Sequence, residues 1–140
     1  MRVVRRPLHR DEFDHELVWL VISVVAFAAG ALWLRFGLPT MRCPFLAMTG
    51  YPCLTCGATR SSIAFAHGHF AAAVNWNPLA TLGLCALVLF DVYALVVLLA
   101  RTPRLRMVDW SAGEKTLVRT GAVSLLLLNW AYLLAHHGQY

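Results

Sequence analysis

Three of the chain's four cysteines lie close together in the sequence, and they are its best candidates for chemistry. Cys43 comes first, and Cys53 and Cys56 follow with the spacing C-x-x-C. Cysteine thiolates are nucleophiles and soft metal ligands, so this stretch could exchange disulfides or hold a metal ion. Glycines and a proline lie between and after the cysteines and interrupt regular structure. We therefore expect a tight loop that carries several sulfur atoms.

The first interpretation of these cysteines is a structural disulfide. A bond from Cys43 to either Cys53 or Cys56 would close a short loop and contribute about 2–4 kcal/mol of stability. One thiol would then remain unpaired, and an odd thiol on an oxidising side of a membrane indicates reactivity or intermolecular pairing.

The second interpretation is catalytic thiol–disulfide exchange by Cys53 and Cys56, with Cys43 as a resolving or relay thiol. A helix is expected to begin just after Cys56, and a helix N-terminus stabilises a thiolate. Arg60 follows one helical turn later, where its positive charge would lower a thiol pKa further. We predict that its guanidinium turns back toward the Cys53–Cys56 turn.

The third interpretation is a zinc site, which takes four sulfur or nitrogen ligands. The candidate ligands are three thiolates and one imidazole: Cys43, Cys53, Cys56 and His67, with His69 as an alternative to His67. The histidine spacing is not that of a zinc finger, and no C-x-x-C-H motif for haem attachment occurs. The leading interpretation requires no cofactor, and zinc is the one that the loop would allow.

The rest of the chain has the composition of a membrane protein. Of its 140 residues, 59% are hydrophobic and only 14% are charged, whereas soluble domains carry about 25% charged residues. Three apolar runs cover residues 17–36, 79–100 and 117–135, each close to the ~20 residues that cross a bilayer. We predict an all-α integral membrane protein with three transmembrane helices in a single membrane domain.

Positive charges predict the orientation of these helices. Arginine and lysine are concentrated in residues 1–16 and 101–116, whereas residues 37–78 contain only two and residues 136–140 none. By the positive-inside rule, the N-terminus and the 101–116 loop are cytoplasmic, and the cysteine loop and the C-terminal tail lie outside. The net charge of +5 is explained by this pattern, so we expect the lipid bilayer as a partner and no nucleic acid.

Two further features position the cysteine loop. Residues 58–67 are expected to form a short interfacial or re-entrant helix, because they are too few and too polar to span the bilayer. Asn77 and Pro78 are the residue types that begin helices, Asn77 as N-cap and Pro78 at the first helical position.

Asp91 is an acidic residue within the second apolar run. A carboxylate at membrane depth is costly and requires a partner. Counting from the predicted inner ends of the helices places Asn129 at a similar depth, so we predict a structural Asp91–Asn129 hydrogen bond between helices. A proton or ion relay through Asp91 is the alternative.

The loop as a whole resembles a known family of bacterial membrane proteins, domain of unknown function 2752. The matching residues are Cys43-Pro44, Gly50, Cys53, Cys56-Gly57, Thr59-Arg60, Gly68, Ala72 and Asn77-Pro78. Leu54 and His69 depart from the family pattern, which usually has proline and often an acidic residue there. The resemblance implies a small protein of the bacterial cytoplasmic membrane, and it supplies no reaction.

Three functions are consistent with these observations. The leading one is a membrane scaffold or partner subunit whose outer cap is fixed by a disulfide and which binds a membrane protein or a second copy of itself. The alternatives are a thiol–disulfide oxidoreductase using Cys53 and Cys56, and zinc binding by the loop. The sequence does not decide whether the protein is an enzyme. It contains no hydrolase or phosphate-loop motif.

Overall fold

The computed structural model describes residues 2–6, 14–37, 43–100, 104–108 and 111–139, and for residues 2–6 and 104–108 it describes the backbone alone. In chain order the elements are strand β1 (Arg2–Arg6), helices α1 (His15–Arg35), α2 (Pro44–Thr49), α3 (Ala58–Ala66), α4 (Phe70–Trp76) and α5 (Pro78–Ala100), strand β2 (Arg104–Val108), helix α6 (Ala112–Ala135) and a 3₁₀ turn (His137–Gln139).

Among the described residues, three helices are long and apolar enough to cross a membrane: α1, α5 and α6. Their apolar side chains are mostly exposed on the protein surface, as expected where lipid replaces water. Examples are Val25, Leu89, Leu99, Leu117 and Leu128. The predicted fold class, a multi-pass helical membrane protein with a cysteine-containing loop, is confirmed.

The starts of the long helices are specified by polar caps. Before α5, Asn77 Oδ1 accepts a hydrogen bond from the backbone N–H of Ala80 at 2.9 Å, and Pro78 is the first helical residue. Helix α6 begins with a capping box: Glu114 Oε2 accepts from Ser111 N at 3.0 Å, and Ser111 Oγ accepts from Glu114 N at 3.2 Å. This box starts α6 at Ala112, five residues before the predicted start of the third apolar run.

The segment between α1 and α5 contains three short helices. Helix α3 has nearly the predicted bounds, whereas α2 and α4 were not predicted. Gly50 and Gly68 follow α2 and α3 with φ of 74° and 77°, a left-handed conformation that glycine adopts without strain. The edge of the Phe65 ring meets the Phe70 ring, with ring centroids 5.2 Å apart, and this contact joins α3 to α4.

The chain forms two compact units. One comprises residues 1–38 and 87–116, and the other comprises residues 39–86 and 117–140. In the first unit, β1 and β2 pair as an antiparallel ribbon, which the sequence analysis did not predict. The second unit contains the cysteine loop and the parts of α5 and α6 that position it.

The predicted hydrogen bond between Asp91 and Asn129 is wrong. Asp91 Oδ1 instead accepts a hydrogen bond from Ser23 Oγ at 2.8 Å, within the first unit. Asn129 bonds to Leu79 and Leu54 in the second unit. The depth estimate counted α6 from residue 117, whereas the helix begins five residues earlier, at Ala112.

Candidate metal centre

The three thiols of the loop meet at one point. The Sγ atoms of Cys43, Cys53 and Cys56 all lie within 4.8 Å of one another. Cys43 Sγ is 3.2 Å from Cys53 Sγ, and Cys53 Sγ is 3.6 Å from Cys56 Sγ. A disulfide requires about 2.05 Å between sulfurs, and all three cysteines are free. The predicted structural disulfide is therefore wrong, because the sulfurs form a triangle instead of a bonded pair.

Local backbone structure brings the sulfurs together. Cys43 is the N-cap of α2, and Cys53 and Cys56 bracket a turn in which Cys56 N donates to Cys53 O at 3.0 Å. The backbone N–H of Cys53 also donates to Cys56 Sγ at 3.3 Å. Gly57, with φ of 76°, then turns the chain into α3. Cys56 is buried, and Cys43 and Cys53 are half-buried.

Three alternate backbone carbonyls of this turn accept hydrogen bonds from side chains elsewhere in the unit. The bonds are Asn77 Nδ2 to Cys56 O at 2.9 Å, Asn129 Nδ2 to Leu54 O at 3.2 Å and Trp130 Nε1 to Pro52 O at 3.2 Å. We call Asn77, Asn129 and Trp130 the carbonyl-binding residues. Asn77 comes from the first stretch of this unit, and Asn129 and Trp130 come from the second. Because these side chains fix the turn, its sulfurs are held in place before any ligand binds.

The two asparagines use both ends of their amides. Asn77 Oδ1 caps α5, as described above, and Asn129 Oδ1 accepts from Leu79 N at 3.0 Å. The asparagines are only 1% and 5% exposed, so losing either partner would leave a buried polar group unsatisfied. Sequence reasoning assigned Asn129 the wrong partner and did not identify Trp130 as a contact of the loop.

A second polar contact joins α3 to α5. Ser61 and Thr81 are buried, and their hydroxyl oxygens lie 2.9 Å apart. Thr81 Oγ1 also donates to Asn77 O at 3.0 Å. The helix that follows the cysteines is thereby joined to the start of α5, beside one of the carbonyl-binding residues.

The pKa values of the two C-x-x-C thiols differ widely. Burial works to raise the pKa of Cys53, but hydrogen bonds with Thr55, Cys43 and Cys56 outweigh it and lower the pKa to about 7. Burial raises the pKa of Cys56 to about 12, and its hydrogen bonds with the neighbouring sulfurs add to the increase. Of this pair, Cys53 therefore loses its proton far more readily than Cys56.

Arg60 and the histidines lie outside the sulfur cluster. The guanidinium of Arg60, in α3, stacks 4.6 Å above the ring of Trp76, the last residue of α4; its contact with the Cys53–Cys56 turn stays a prediction. His67 and His69 are exposed at the end of α3 and the start of α4. In the part of the chain that the structure describes, the cluster consists of the three cysteines alone, so His67 is not brought to it.

A family model described as Protein of unknown function (DUF2752) matches residues 43–90. The family resemblance is confirmed. The matched segment begins at Cys43, contains all three clustered cysteines and Asn77, and ends within α5. Asn129 and Trp130 lie beyond it. No curated protein and no solved structure matches the chain, so its function has to be argued from the site.

Proposed function

We propose that the protein is a metal-binding membrane protein in which Cys43, Cys53 and Cys56 hold a zinc ion. The observation that carries this proposal is the triangle of sulfurs, all within 4.8 Å of one another. Tetrahedral zinc with Zn–S bonds of about 2.3 Å places sulfurs about 3.8 Å apart. The two shorter edges, 3.2 and 3.6 Å, need to open only slightly to reach that spacing.

Three protein ligands leave one coordination position for water or for a ligand that another molecule supplies. Within the described ranges no fourth cysteine, histidine or carboxylate joins the cluster. Zinc binding replaces the thiol protons, so its affinity falls as pH decreases through the pKa of Cys53. The raised pKa of Cys56 makes its proton more costly to displace than that of Cys53.

A membrane scaffold is still consistent with the three apolar helices, but its cysteines are free and form no disulfide. The carbonyl-binding residues supply the rigidity that the disulfide was expected to provide, and metal binding would add to it. The charge pattern supports an N-terminus in the cytoplasm and a cysteine loop outside the bacterial cytoplasmic membrane. A partner protein or a second copy could then reach the site from that side.

A second candidate function is thiol–disulfide exchange, favoured by the lowered pKa of Cys53. The Cys53 thiolate would attack a disulfide of an outer-face protein, forming a mixed disulfide and releasing one of its two sulfurs as a thiolate. Cys56, after losing its proton, would displace the second thiolate. The partner disulfide gains two electrons, and the Cys53–Cys56 pair loses them.

Elemental analysis of the full-length protein, purified with a reductant and without chelator, tests the proposal. We expect one zinc ion per chain in the wild type. Replacing any one of the clustered cysteines by serine should lose most of the metal. Cys85→Ser is the matched control, because Cys85 is exposed in α5 and outside the cluster. Wild-type protein without metal after incubation with zinc would overturn the proposal, and a preference for copper(I) would change its metal.

Alkylation kinetics of the metal-free protein separate the two candidates. Cys53 should react about tenfold faster at pH 8 than at pH 6, since its thiolate fraction rises through a pKa of about 7. Cys56 should stay slow over that range. If zinc protects both thiols, metal binding is supported. If zinc protects neither and Cys56→Ser traps a mixed disulfide with a membrane-associated protein, the exchange function replaces it.

A further inference from the structure

Cys43 is held differently from the other two cysteines of the cluster. Cys53 and Cys56 lie in the turn whose carbonyls accept hydrogen bonds from the carbonyl-binding residues. Cys43 instead precedes the short helix α2, which Gly50 ends. We call residues 43–51 the Cys43 arm, since this segment carries one ligand of the proposed metal site and lies outside the turn.

The Cys43 arm makes few described contacts with the rest of its unit. Its hydrogen bonds to described residues stay within the arm, such as the one that Thr49 Oγ1 donates to Phe45 O at 2.7 Å. The exception is Cys43 Sγ, which contacts the other sulfurs of the cluster. Most side chains of the arm are exposed, and Met48 is 86% exposed. Because an exposed segment with few contacts opens at low free-energy cost, Cys43 can leave the cluster while the turn stays folded.

The arrangement differs from a structural zinc site in two respects. A structural site usually has four protein ligands, and binding of the metal supplies much of its folding free energy. In the part of the chain that the structure describes, this cluster has three ligands, and two of them are only half-buried. The turn is also fixed by side chains from outside it, without a metal ion.

The ligand set is also poorly suited to catalysis by zinc. Zn²⁺ with three thiolates carries one net negative charge, whereas the ligand sets of catalytic zinc sites leave the complex neutral or positive. A negative complex acidifies its bound water less, so it makes less of the hydroxide nucleophile. The unit that holds the cluster, residues 39–86 and 117–140, contains no aspartate or glutamate to act as a general base.

We propose that zinc is exchangeable cargo at this site, passed to or received from a protein that offers a cysteine thiol, and that Cys43 is the ligand that leaves first. The inference rests on the proposed function, because it requires the cluster to bind zinc. An acceptor thiol loses its proton and bonds to zinc at the open coordination position, and the bond from zinc to Cys43 Sγ breaks. Cys43 takes up a proton in exchange. One Zn–S bond replaces another and no electrons are transferred, so transfer is reversible.

The test measures zinc transfer from the full-length protein in detergent micelles. The acceptor is a fluorescently labelled, metal-free peptide with four cysteines, which folds when it binds zinc. We expect the transfer rate to rise in proportion to peptide concentration, because the acceptor thiol enters the site. Brief alkylation during transfer, read by mass spectrometry, should modify Cys43 before Cys53 and Cys56.

Hydrogen exchange tests the low stability of the arm directly. The amide of Cys56, which donates to Cys53 O within the turn, should be protected with and without zinc. The amides of Ala47 and Gly50, which bond within the arm, should be protected only when zinc holds Cys43 in the cluster. Loss of protection in the turn when zinc is removed would make zinc structural and overturn the proposal.

A pair of glycine variants provides a matched comparison. Gly50 ends α2 with φ of 74° and Gly68 follows α3 with φ of 77°, and a Cβ added to either meets no atom within 4 Å. Alanine therefore introduces the same left-handed strain at both positions. Opening of the arm relieves that strain only at Gly50, so Gly50→Ala should speed zinc transfer by about fivefold, whereas Gly68→Ala should leave the rate unchanged.

The outcomes separate this inference from the proposed function. One bound zinc per chain, combined with a transfer rate that does not depend on peptide concentration, would overturn the exchange role alone. Alkylation of Cys53 or Cys56 before Cys43, or equal transfer rates for the two glycine variants, would overturn the role of the Cys43 arm. A wild-type protein that binds no zinc would overturn the proposed function as well.

Discussion

Polar side chains are buried around the cysteine loop, whereas the long helices mostly expose apolar ones. Ser61, Asn77, Thr81 and Asn129 are all buried, and each makes hydrogen bonds that hold the loop or the helix ends beside it. The leucine and valine side chains of α1, α5 and α6 carry no polar atoms that could form such bonds. A helix surrounded by lipid needs only length and hydrophobicity, but a cluster of three sulfurs needs fixed backbone positions.

The difference predicts where substitutions matter. Leucine and valine on the exposed helix faces can be exchanged for other apolar residues at little cost, because lipid does not require a particular shape. Each carbonyl-binding residue, by contrast, donates to one particular carbonyl of the turn. The predictions below remove these bonds one residue at a time and compare each with a similar residue outside the network.

Asn77→Ala should have the largest effect. It removes the N-cap of α5 and the donor to Cys56 O together, so we expect a loss of about 2–4 kcal/mol in the free energy of unfolding. Unfolding in detergent micelles measures the loss, and zinc content reports the site. Asn75→Ala is the matched control, since Asn75 is an exposed residue of α4. Similar losses for the two variants would contradict the assigned role of Asn77.

Asn129→Ala should lower the free energy of unfolding by about 2 kcal/mol. It removes two hydrogen bonds, one accepted from Leu79 N and one donated to Leu54 O. Because Leu54 lies between Cys53 and Cys56, alkylation of the metal-free thiols should also change. Ser124→Ala, at an exposed position of the same helix, is the comparison. If Asn129→Ala left both stability and thiol reactivity at the Ser124→Ala level, the loop would not depend on α6.

The parts that sequence predicts well are those set by local rules. Hydrophobic run length located α1, α5 and α6, and Asn77 with Pro78 marked the start of α5. The spacing of the three cysteines indicated that they act together. In each case the signal and its consequence lie within a few residues of each other.

The failures concern contacts between distant residues. Asn129 and Leu54 are 75 positions apart, and several polar partners were compatible with the sequence. Because the capping box at Ser111 was missed, the predicted start of α6 was five residues too late. The same three thiols were compatible with a disulfide, a redox-active pair or a metal site. The distances between the sulfurs, which the sequence does not contain, show three adjacent free thiols. The ribbon was missed because the arginine pattern had already been explained by orientation.

Trp130→Phe should be milder than either asparagine variant. Phenylalanine keeps much of the aromatic volume but lacks the indole N–H that donates to Pro52 O. We therefore expect the free energy of unfolding to fall by about 1 kcal/mol. Trp33→Phe, in an exposed part of α1, should cost less and leave zinc binding unchanged. A loss from Trp33→Phe as large as that from Trp130→Phe would mean that both tryptophans act as general membrane anchors.

Ser23→Ala should have the smallest effect and leave the cysteine loop untouched. It removes the hydroxyl that donates to Asp91 Oδ1 at 2.8 Å, a bond in the unit that lacks the clustered cysteines. Hydrogen bonds between membrane helices average about 0.6 kcal/mol, because the unfolded chain in the membrane also finds partners. We expect a loss of that size in micelle unfolding, with zinc content and Cys53 alkylation as in the wild type. If Ser23→Ala instead lowered zinc content or altered Cys53 alkylation, the two regions would be energetically coupled. The cysteine loop would then depend on the Ser23–Asp91 hydrogen bond.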